Sequence, residues 1–343
     1  MPGAAPRLGS GGGVMVASQA VSATPAATVY RIGAAHSGWR LDHFLQERIP
    51  RLSRTEIQKA IGERVRLSRL AHPRPATRLQ TGDEVVVAFP EVREDPEALA
   101  RVALPVLHED EDLLAIDKPA GVVVHPNNSV RRGSIVELLR ARHPAAGSLT
   151  LVHRLDRETS GVLLLAKGVE VARRMMRAFS GHRVEKHYLA IVWGEMQAQS
   201  GILDFPLGRD RGGKVRIKQR VDPEEGFRSV TRYRVVRRLP GFTLVDLRPL
   251  TGRTHQIRVH LRQVGHPVVG DKLYGDDERC FLDYVEGKFG AEQARRLGAE
   301  RQLLHAAGIA FHHPLGGYPI AIRAPLPADF REFLRHERPT SGR

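Results

Sequence analysis

The stretch His153-Arg154-Leu155-Asp156-Arg157-Glu158-Thr159-Ser160-Gly161, followed at once by Val162-Leu163-Leu164-Leu165-Ala166, decides how the rest of the chain is read. An apolar run with no polar face predicts a strand buried on both sides. The charged group before it then lies on a loop at the rim of a core, where a rigid scaffold can hold a reactive side chain. Arg154 and Asp156, two residues apart in an extended segment, project to the same side. A lone aspartate in such a place is most often a turn or capping residue. The whole charged string closing on Thr-Ser-Gly points instead to chemistry.

Outward from this string, further strands are expected at Leu113–Ile116, Tyr188–Trp193, Thr231–Val236 and Phe242–Leu247, with helices near Ile135–Ala141, Val169–Phe179 and Thr254–Val264. Strands interspersed with helices predict an α+β domain on a mostly antiparallel mixed sheet, running from 106 to 336. A small α/β unit is expected at 38–90. There Leu41, Phe44, Leu45 and Ile49 recur at helical spacing, and Ser53-Arg54-Thr55-Glu56 reads as a capping box opening a second helix that Gly62 stops. Strands at Val65–Leu67 and Glu84–Phe89 follow, the latter reached through Thr81-Gly82-Asp83. Residues 91–105 read as a linker and 337–343 as a disordered tail. Residues 1–37 are expected to be disordered from their Gly, Ala, Ser and Pro content, and Met15 offers an alternative start.

Two further segments can carry chemistry. In Lys186-His187-Tyr188-Leu189-Ala190-Ile191-Val192-Trp193, alternation puts Tyr188, Ala190 and Val192 on one face. A tyrosine there is by itself most simply a packed side chain. In Gly252-Arg253-Thr254-His255-Gln256-Ile257-Arg258-Val259-His260-Leu261, Thr254 can cap a helix that buries Ile257, Leu261 and Val264 and turns His255, Arg258 and Arg262 to another face.

Charge and composition bound the function. The 343 residues hold 53 Lys+Arg against 38 Asp+Glu, a net +15, which favours a nucleic acid as partner over a membrane. Between Arg48 and Arg78, nine Lys/Arg stand against two Glu, a bias that suggests phosphate contacts through Arg51, Arg54, Lys59, Arg64 and Arg66. No apolar run approaches the roughly 20 residues that span a bilayer. The one cysteine, Cys280, excludes an intramolecular disulfide framework and a cysteine-built zinc site, and suits a reducing, cytoplasmic compartment. The 16 histidines are scattered. His255 and His260 lie about 140° apart around a helix and cannot share a metal as an i, i+4 pair would.

Taken together, these segments resemble the RluA family of pseudouridine synthases over nearly the whole chain after residue 38. The resemblance rests on Asp117-Lys118-Pro119-Ala120-Gly121, the 153–161 string, Lys186-His187-Tyr188-Leu189-Ala190, Gly252–Leu261, Gly265-His266-Pro267 with Gly270-Asp271, and Leu303-Leu304-His305-Ala306. The 38–90 unit resembles the αL-type RNA-binding module that a small-subunit ribosomal protein shares with several RNA enzymes, through Arg40-Leu41-Asp42, Ser53-Arg54 and Gly82-Asp83. It lacks that module's usual Asn-Gly turn between strands.

The resemblance implies isomerisation of uridine to pseudouridine in structured RNA, with large-subunit ribosomal RNA favoured over transfer RNA. It implies neither metal nor organic cofactor. It makes Asp156 the catalytic nucleophile or base, Arg258 its ion-pair partner through two hydrogen bonds, and Tyr188 the residue that stacks on the base. Arg154 would enter the RNA stack when the uridine leaves it. Ile257 and Leu304 would wall the base pocket, with Lys118 and Arg253 near the cleft for phosphates or local structure. A monomer is the default. The competing readings are a non-catalytic RNA-binding or ribosome-assembly protein and, from the histidines, a metal-dependent hydrolase.

Overall fold

In the computed structural model, which describes residues 25–49, 54–90, 101–125, 134–142, 149–213, 215 and 217–336, contacts divide the chain into a smaller unit within residues 20–95 and a larger one beginning at Pro96. In the smaller unit, strand β1 (Pro25–Arg31), helices α1 (Leu41–Arg48) and α2 (Arg54–Arg64), and strands β2 (Val65–Leu67) and β3 (Glu84–Pro90) form an antiparallel sheet of order β1-β3-β2 with two helices. The sequence periodicities account for its core. Leu41, Phe44 and Leu45 of α1, Ile57 and Ile61 of α2, and the alternate residues Val65, Leu67, Val85 and Val87 of the strands pack together with Ile32 and Leu79. The turn into β3 uses Gly82 at φ 89, and buried Asp83 ties it by accepting from Gln80 N and Arg69 Nε at 2.7 and 3.0 Å.

Strand β1 corrects the expected disorder of residues 1–37 from Pro25 onward. The composition of the whole segment hid a short run, Thr28-Val29-Tyr30-Arg31-Ile32, whose Ile32 is buried and whose Tyr30 meets the Phe44 ring edge-on at 5.9 Å. Helix α2 also passes Gly62 and ends at Arg64. Ser53 of the capping box, most of the 91–105 linker and the 337–343 tail lie outside the described residues.

The larger unit is built on a ten-stranded sheet. Its strands and helices in chain order are β4 (Val106–Glu109), β5 (Leu113–Lys118), α3 (Ile135–Arg142), β6 (Leu149–Leu151), β7 (Ser160–Lys167), α4 (Val169–Ser180), β8 (Glu185–Trp193) and β9 (Ser200–Asp204). A separate hairpin of β10 (Leu207–Arg209) and β11 (Gln219–Val221) follows. Then come β12 (Val230–Leu239), β13 (Phe242–Pro249), α5 (Gln256–Gln263), α6 (Arg279–Val285), α7 (Ala291–Leu297), β14 (Leu304–His312), β15 (Pro319–Arg323) and α8 (Ala328–His336). The sheet runs β4-β5-β7-β14-β8-β13-β12-β9, with β6 on β7 and β15 on β14. Among these pairs only β7 with β14 is parallel, His305 opposite Ser160 and Ala306 opposite Gly161.

The apolar run at 162–166 is buried on both sides, as its composition requires. Leu163 and Leu165 join Leu114, Ile116 and helix α3 on one face, while Val162 and Leu164 join Leu113, Ala115 and helix α4 on the other. On β8 the alternation holds: Ala190 and Val192 pack with Ile257 and Leu261 of α5, and Ile191 packs with Phe330 of α8. The sheet thereby brings the 152–159 loop, β8 and α5 to one face.

Candidate active site

The loop between β6 and β7 carries Asp156 and is held by buried groups. Lys118 Nζ donates to the Arg157 and Pro119 carbonyls at 2.9 and 2.7 Å. Gly121 N also donates to Arg157 O, Arg301 Nη1 to Glu158 O at 3.0 Å, and Gln302 Nε2 to Thr159 Oγ1 at 2.7 Å. Buried Lys272 pairs with the Glu158 carboxylate, its ammonium lying 4.7 Å from the Tyr284 ring centroid and 4.5 Å from that of Phe289. His153, the first residue of the string, accepts a hydrogen bond from Leu164 N at 3.0 Å and stacks on Phe179. Burial, with the charge of Lys186 nearby, holds its imidazole down at about 4, so it is neutral and structural.

Of the two roles expected of Lys118, phosphate contact or local structure, its contacts support the second: it is 0% exposed, and its charge serves main-chain carbonyls of the Asp156 loop, which corrects its placing among the RNA-binding residues. A lysine in a charged string looks external in sequence; only the fold supplies the carbonyls that let it be buried.

Arg258 of α5 reaches the loop. Its Nη1 donates to Asp156 Oδ2 at 2.8 Å, while Nε and Nη2 donate to Asp271 Oδ2 and Oδ1 at 2.6 and 2.8 Å. The two-bond fork therefore belongs to Asp271, and Asp156 receives one bond, which corrects the expected bidentate Asp156–Arg258 pair. Asp271 is fully buried and also accepts from Leu273 N and Tyr274 N, both at 2.9 Å. Its burial raises its pKa, but the Arg258 charge and these four hydrogen bonds outweigh that and lower it. The guanidinium is fixed by one carboxylate so that its remaining edge can face the other. Sequence reasoning missed this use of Asp271, whose only signal was its place in the Gly270-Asp271 pair.

For Asp156 itself burial works against ionisation. His255 and the charge and hydrogen bond of Arg258, with Arg154 beyond, prevail and bring it to about 2. Burial also holds His255 down to about 4, so at neutral pH the guanidinium supplies the positive charge. Asp156 is therefore an anion, a quarter exposed at its side chain, with Oδ1 free of hydrogen bonds from the described residues.

Helix α5 begins after His255, which adopts the left-handed conformation at φ 56 and makes no side-chain cap. Thr254 is not the cap the sequence led one to expect. The first turn is closed instead by Gln256, whose Oε1 accepts from Arg253 N and Thr251 Oγ1 and whose Nε2 reaches Val230 O and Thr231 Oγ1.

Tyr188 lies close enough to Asp156 for that charge to add to burial in raising its hydroxyl above the usual tyrosine range. The hydroxyl is therefore protonated, and among the described residues it has no hydrogen-bond partner. Ile257 and Leu304 are buried beside Tyr188 in one cluster. Arg154 is exposed, unpaired among the described residues, and near enough to lower the Asp156 pKa. Arg253 sits with its guanidinium 4.9 Å over the exposed Phe227 ring. The larger unit thus brings together Asp156, Tyr188, Arg258, Arg154, Ile257 and Leu304.

The smaller unit carries the other expected contacts. Arg54, Lys59, Arg64 and Arg66 are exposed, while Arg51 lies outside the described residues. Of the other cations between Arg48 and Arg78, Arg69 pairs with Asp83, and Arg78 donates to Gly38 O at 2.8 Å. Part of the charge excess is thus internal. Among the described residues no group of three or more His, Cys, Asp or Glu could hold a metal ion, and no helix is long and apolar enough to cross a membrane.

An ionised, three-quarters-buried carboxylate with one oxygen left open among the described residues, set between an apolar wall, a protonated tyrosine and an exposed guanidinium, has the chemistry that nucleophilic or base attack requires. Residues 112–263 match the family model for RNA pseudouridylate synthases. The chain is 36% identical over 310 residues to ribosomal large subunit pseudouridine synthase D of Xanthomonas campestris pv. campestris, covering 90% of this chain and 91% of that one. It is likewise 36% identical over 330 residues to ribosomal large subunit pseudouridine synthase C of Escherichia coli strain K12, covering 92% and 98%. Among solved structures it resembles human RNA pseudouridylate synthase domain containing 4, with a TM-score of 0.54, 29% identity, and 71% of this chain and 95% of that one covered. The chain belongs to the RluA family of RNA pseudouridylate synthases and is an isomerase of that kind.

Proposed function

We propose that this enzyme converts specific uridines of large-subunit ribosomal RNA to pseudouridine in the cytoplasm, acting as a monomer without metal or organic cofactor. The observation that carries the reading is the Asp156–Arg258 contact at 2.8 Å with Asp156 Oδ1 left open. In the reaction the bond from uracil nitrogen 1 to the ribose breaks, the base turns, and a bond forms from the same sugar carbon to uracil carbon 5. The carbon 5 proton is lost and nitrogen 1 gains one. Asp156 begins this as nucleophile or base, which requires that it be ionised and aimed.

The remaining roles follow from reach and chemistry. Tyr188 stacks on the uracil, and its protonated hydroxyl, without a hydrogen-bond partner among the described residues, is free to turn to the base. Ile257 and Leu304 supply the apolar wall. Extruding a paired base costs a few kcal/mol, and the exposed guanidinium of Arg154 can offset part of that by stacking in the vacated place. Arg253, over Phe227, contacts the RNA beside the pocket. Arg54, Lys59, Arg64 and Arg66, with Arg51, form a phosphate handle on the smaller unit. Support for the ribosomal target comes from the names of the two bacterial relatives, which match over nine-tenths of the chain.

Pseudouridine mapping of RNA from cells lacking the gene tests the target. Loss of pseudouridine at one or more large-subunit positions, restored by the intact gene, is expected. Loss confined to transfer RNA would reassign the substrate.

A further inference from the structure

The space in front of Asp156 Oδ1 has a second polar wall, Nε2 of His255, 3.9 Å away. His255 is one of two non-glycine residues with positive φ among the described residues, a backbone conformation that L side chains avoid and that persists where surrounding contacts fix it. Here the fixing contact is Tyr274, whose hydroxyl lies 2.8 Å from His255 Nδ1. The same hydroxyl accepts a hydrogen bond from Gln219 N at 2.8 Å. A main-chain N–H can only donate, and among the described residues Nδ1 is the one acceptor within reach of the hydrogen of the Tyr274 hydroxyl, so Nδ1 is assigned as accepting it. A neutral imidazole then carries its own proton on Nε2, facing Asp156. Burial, against the pull of Asp156 and Asp271 and together with the charges of Arg258 and Arg154, keeps the ring neutral at physiological pH.

A donor and an acceptor 3.9 Å apart do not bond each other. One oxygen placed about 2.8 Å from each would see the two at roughly a right angle, within hydrogen-bond geometry at a hydroxyl. That oxygen must accept from Nε2–H and donate to Oδ1. A hydroxyl does both; a carbonyl, ether or ionised phosphate oxygen can only accept. On the sugar whose glycosidic bond is broken, the hydroxyl next to the glycosidic carbon is the 2′-hydroxyl, the group that separates RNA from DNA.

We infer that His255 and Asp156 together grip the 2′-hydroxyl of the target nucleotide, which makes His255, held by Tyr274, a residue that reads ribose against deoxyribose at the reacting position. The inference rests on Asp156 acting on the target uridine, as proposed above.

The test is direct binding of two short RNAs carrying the mapped target, identical except for pseudouridine or 2′-deoxypseudouridine at that position. Product forms are used so that turnover plays no part. The wild-type enzyme is expected to bind the ribose form about tenfold tighter or more, since two hydrogen bonds hold the hydroxyl. His255→Asn, which tolerates the left-handed backbone but shortens the donor, should lower that ratio several-fold, to what the Asp156 contact alone supplies. Tyr274→Phe, which removes the hydroxyl that sets the tautomer, should do the same and carries the test if His255→Asn does not fold. No preference by the wild type, or a ratio left at the wild-type value in the folded variants, overturns the inference. Tritium release by the wild type from the uridine form of the same RNA is scored separately. Release without a ribose preference rejects the 2′-hydroxyl grip alone, whereas absence of release rejects the functional reading beneath it.

Discussion

Arg258 makes three charge-assisted hydrogen bonds with three different nitrogens, two to Asp271 and one to Asp156. A lysine ammonium at the same place is a point charge on a flexible stem and cannot hold Asp271 in two bonds while aiming at Asp156. Arg258→Lys should therefore lower kcat/KM for uridine isomerisation by about 100-fold or more, the scale on which misplacing a catalytic group acts. Single-turnover tritium release measures it, and near-normal turnover would remove Arg258 from the mechanism. At this scale the sequence disclosed residue types better than partners. Asp156, Arg258 and Tyr188 stood in strings that could be singled out. The bidentate partner of Arg258 could not, because Asp271 lies thirteen residues on, past a turn, and shares no periodic pattern with it. The choice between a phosphate and a structural role for Lys118 stayed open for a related reason, since burial of a lysine depends on main-chain carbonyls that a sequence does not display.

At the scale of elements, strands β7 and β14 meet in parallel where Gly161 faces Ala306. Gly161 has φ 108, and a Cβ there would lie 2.2 Å from Ala306 O. The close approach joins the strand that follows the Asp156 loop to the strand that carries Leu304. Gly161→Ala combines backbone strain with a clash against main chain and should destabilise the enzyme by about 3 kcal/mol or more, read from its denaturation midpoint. Stability within about 0.5 kcal/mol of wild type would contradict this packing. Most elements were legible because their patterns are local. Val162–Ala166 could only be a doubly buried strand, and β8 alternates cleanly. The start of α5 was not legible, since Thr254 is the better capping residue by chemistry and His255 is drawn into its place by Tyr274, nineteen residues away. Strand β1 was missed because its few β-branched and aromatic residues follow a long stretch of small ones.

Over the whole molecule, three buried imidazoles set the acid limit. His153, His255 and His305 are each held down at about 4 by burial, against 6.5 in the unfolded chain. Between these values the unfolded chain binds protons that the folded one does not, so stability is complete above about pH 6.5 and is lost progressively towards pH 4. Each group adds up to about 1.4 kcal/mol per pH unit in that window. Denaturation in urea at pH 5 and pH 7 checks this, and equal stability at both would contradict the neutral, buried assignment. RNA binding is a second property at this scale. Arg54→Ala and Lys59→Ala should each reduce the slope of log affinity against log salt by about one if those side chains touch phosphates. An unchanged slope would remove them from the interface.

The most direct measurement of the central claim is tritium release from RNA labelled at carbon 5 of uridine, using Asp156→Asn. The amide keeps the size of the side chain and its contact with Arg258 but carries no charge. If the ionised carboxylate performs the reaction, release falls to background while RNA affinity stays within a few-fold of wild type. Release at the wild-type rate would contradict the account.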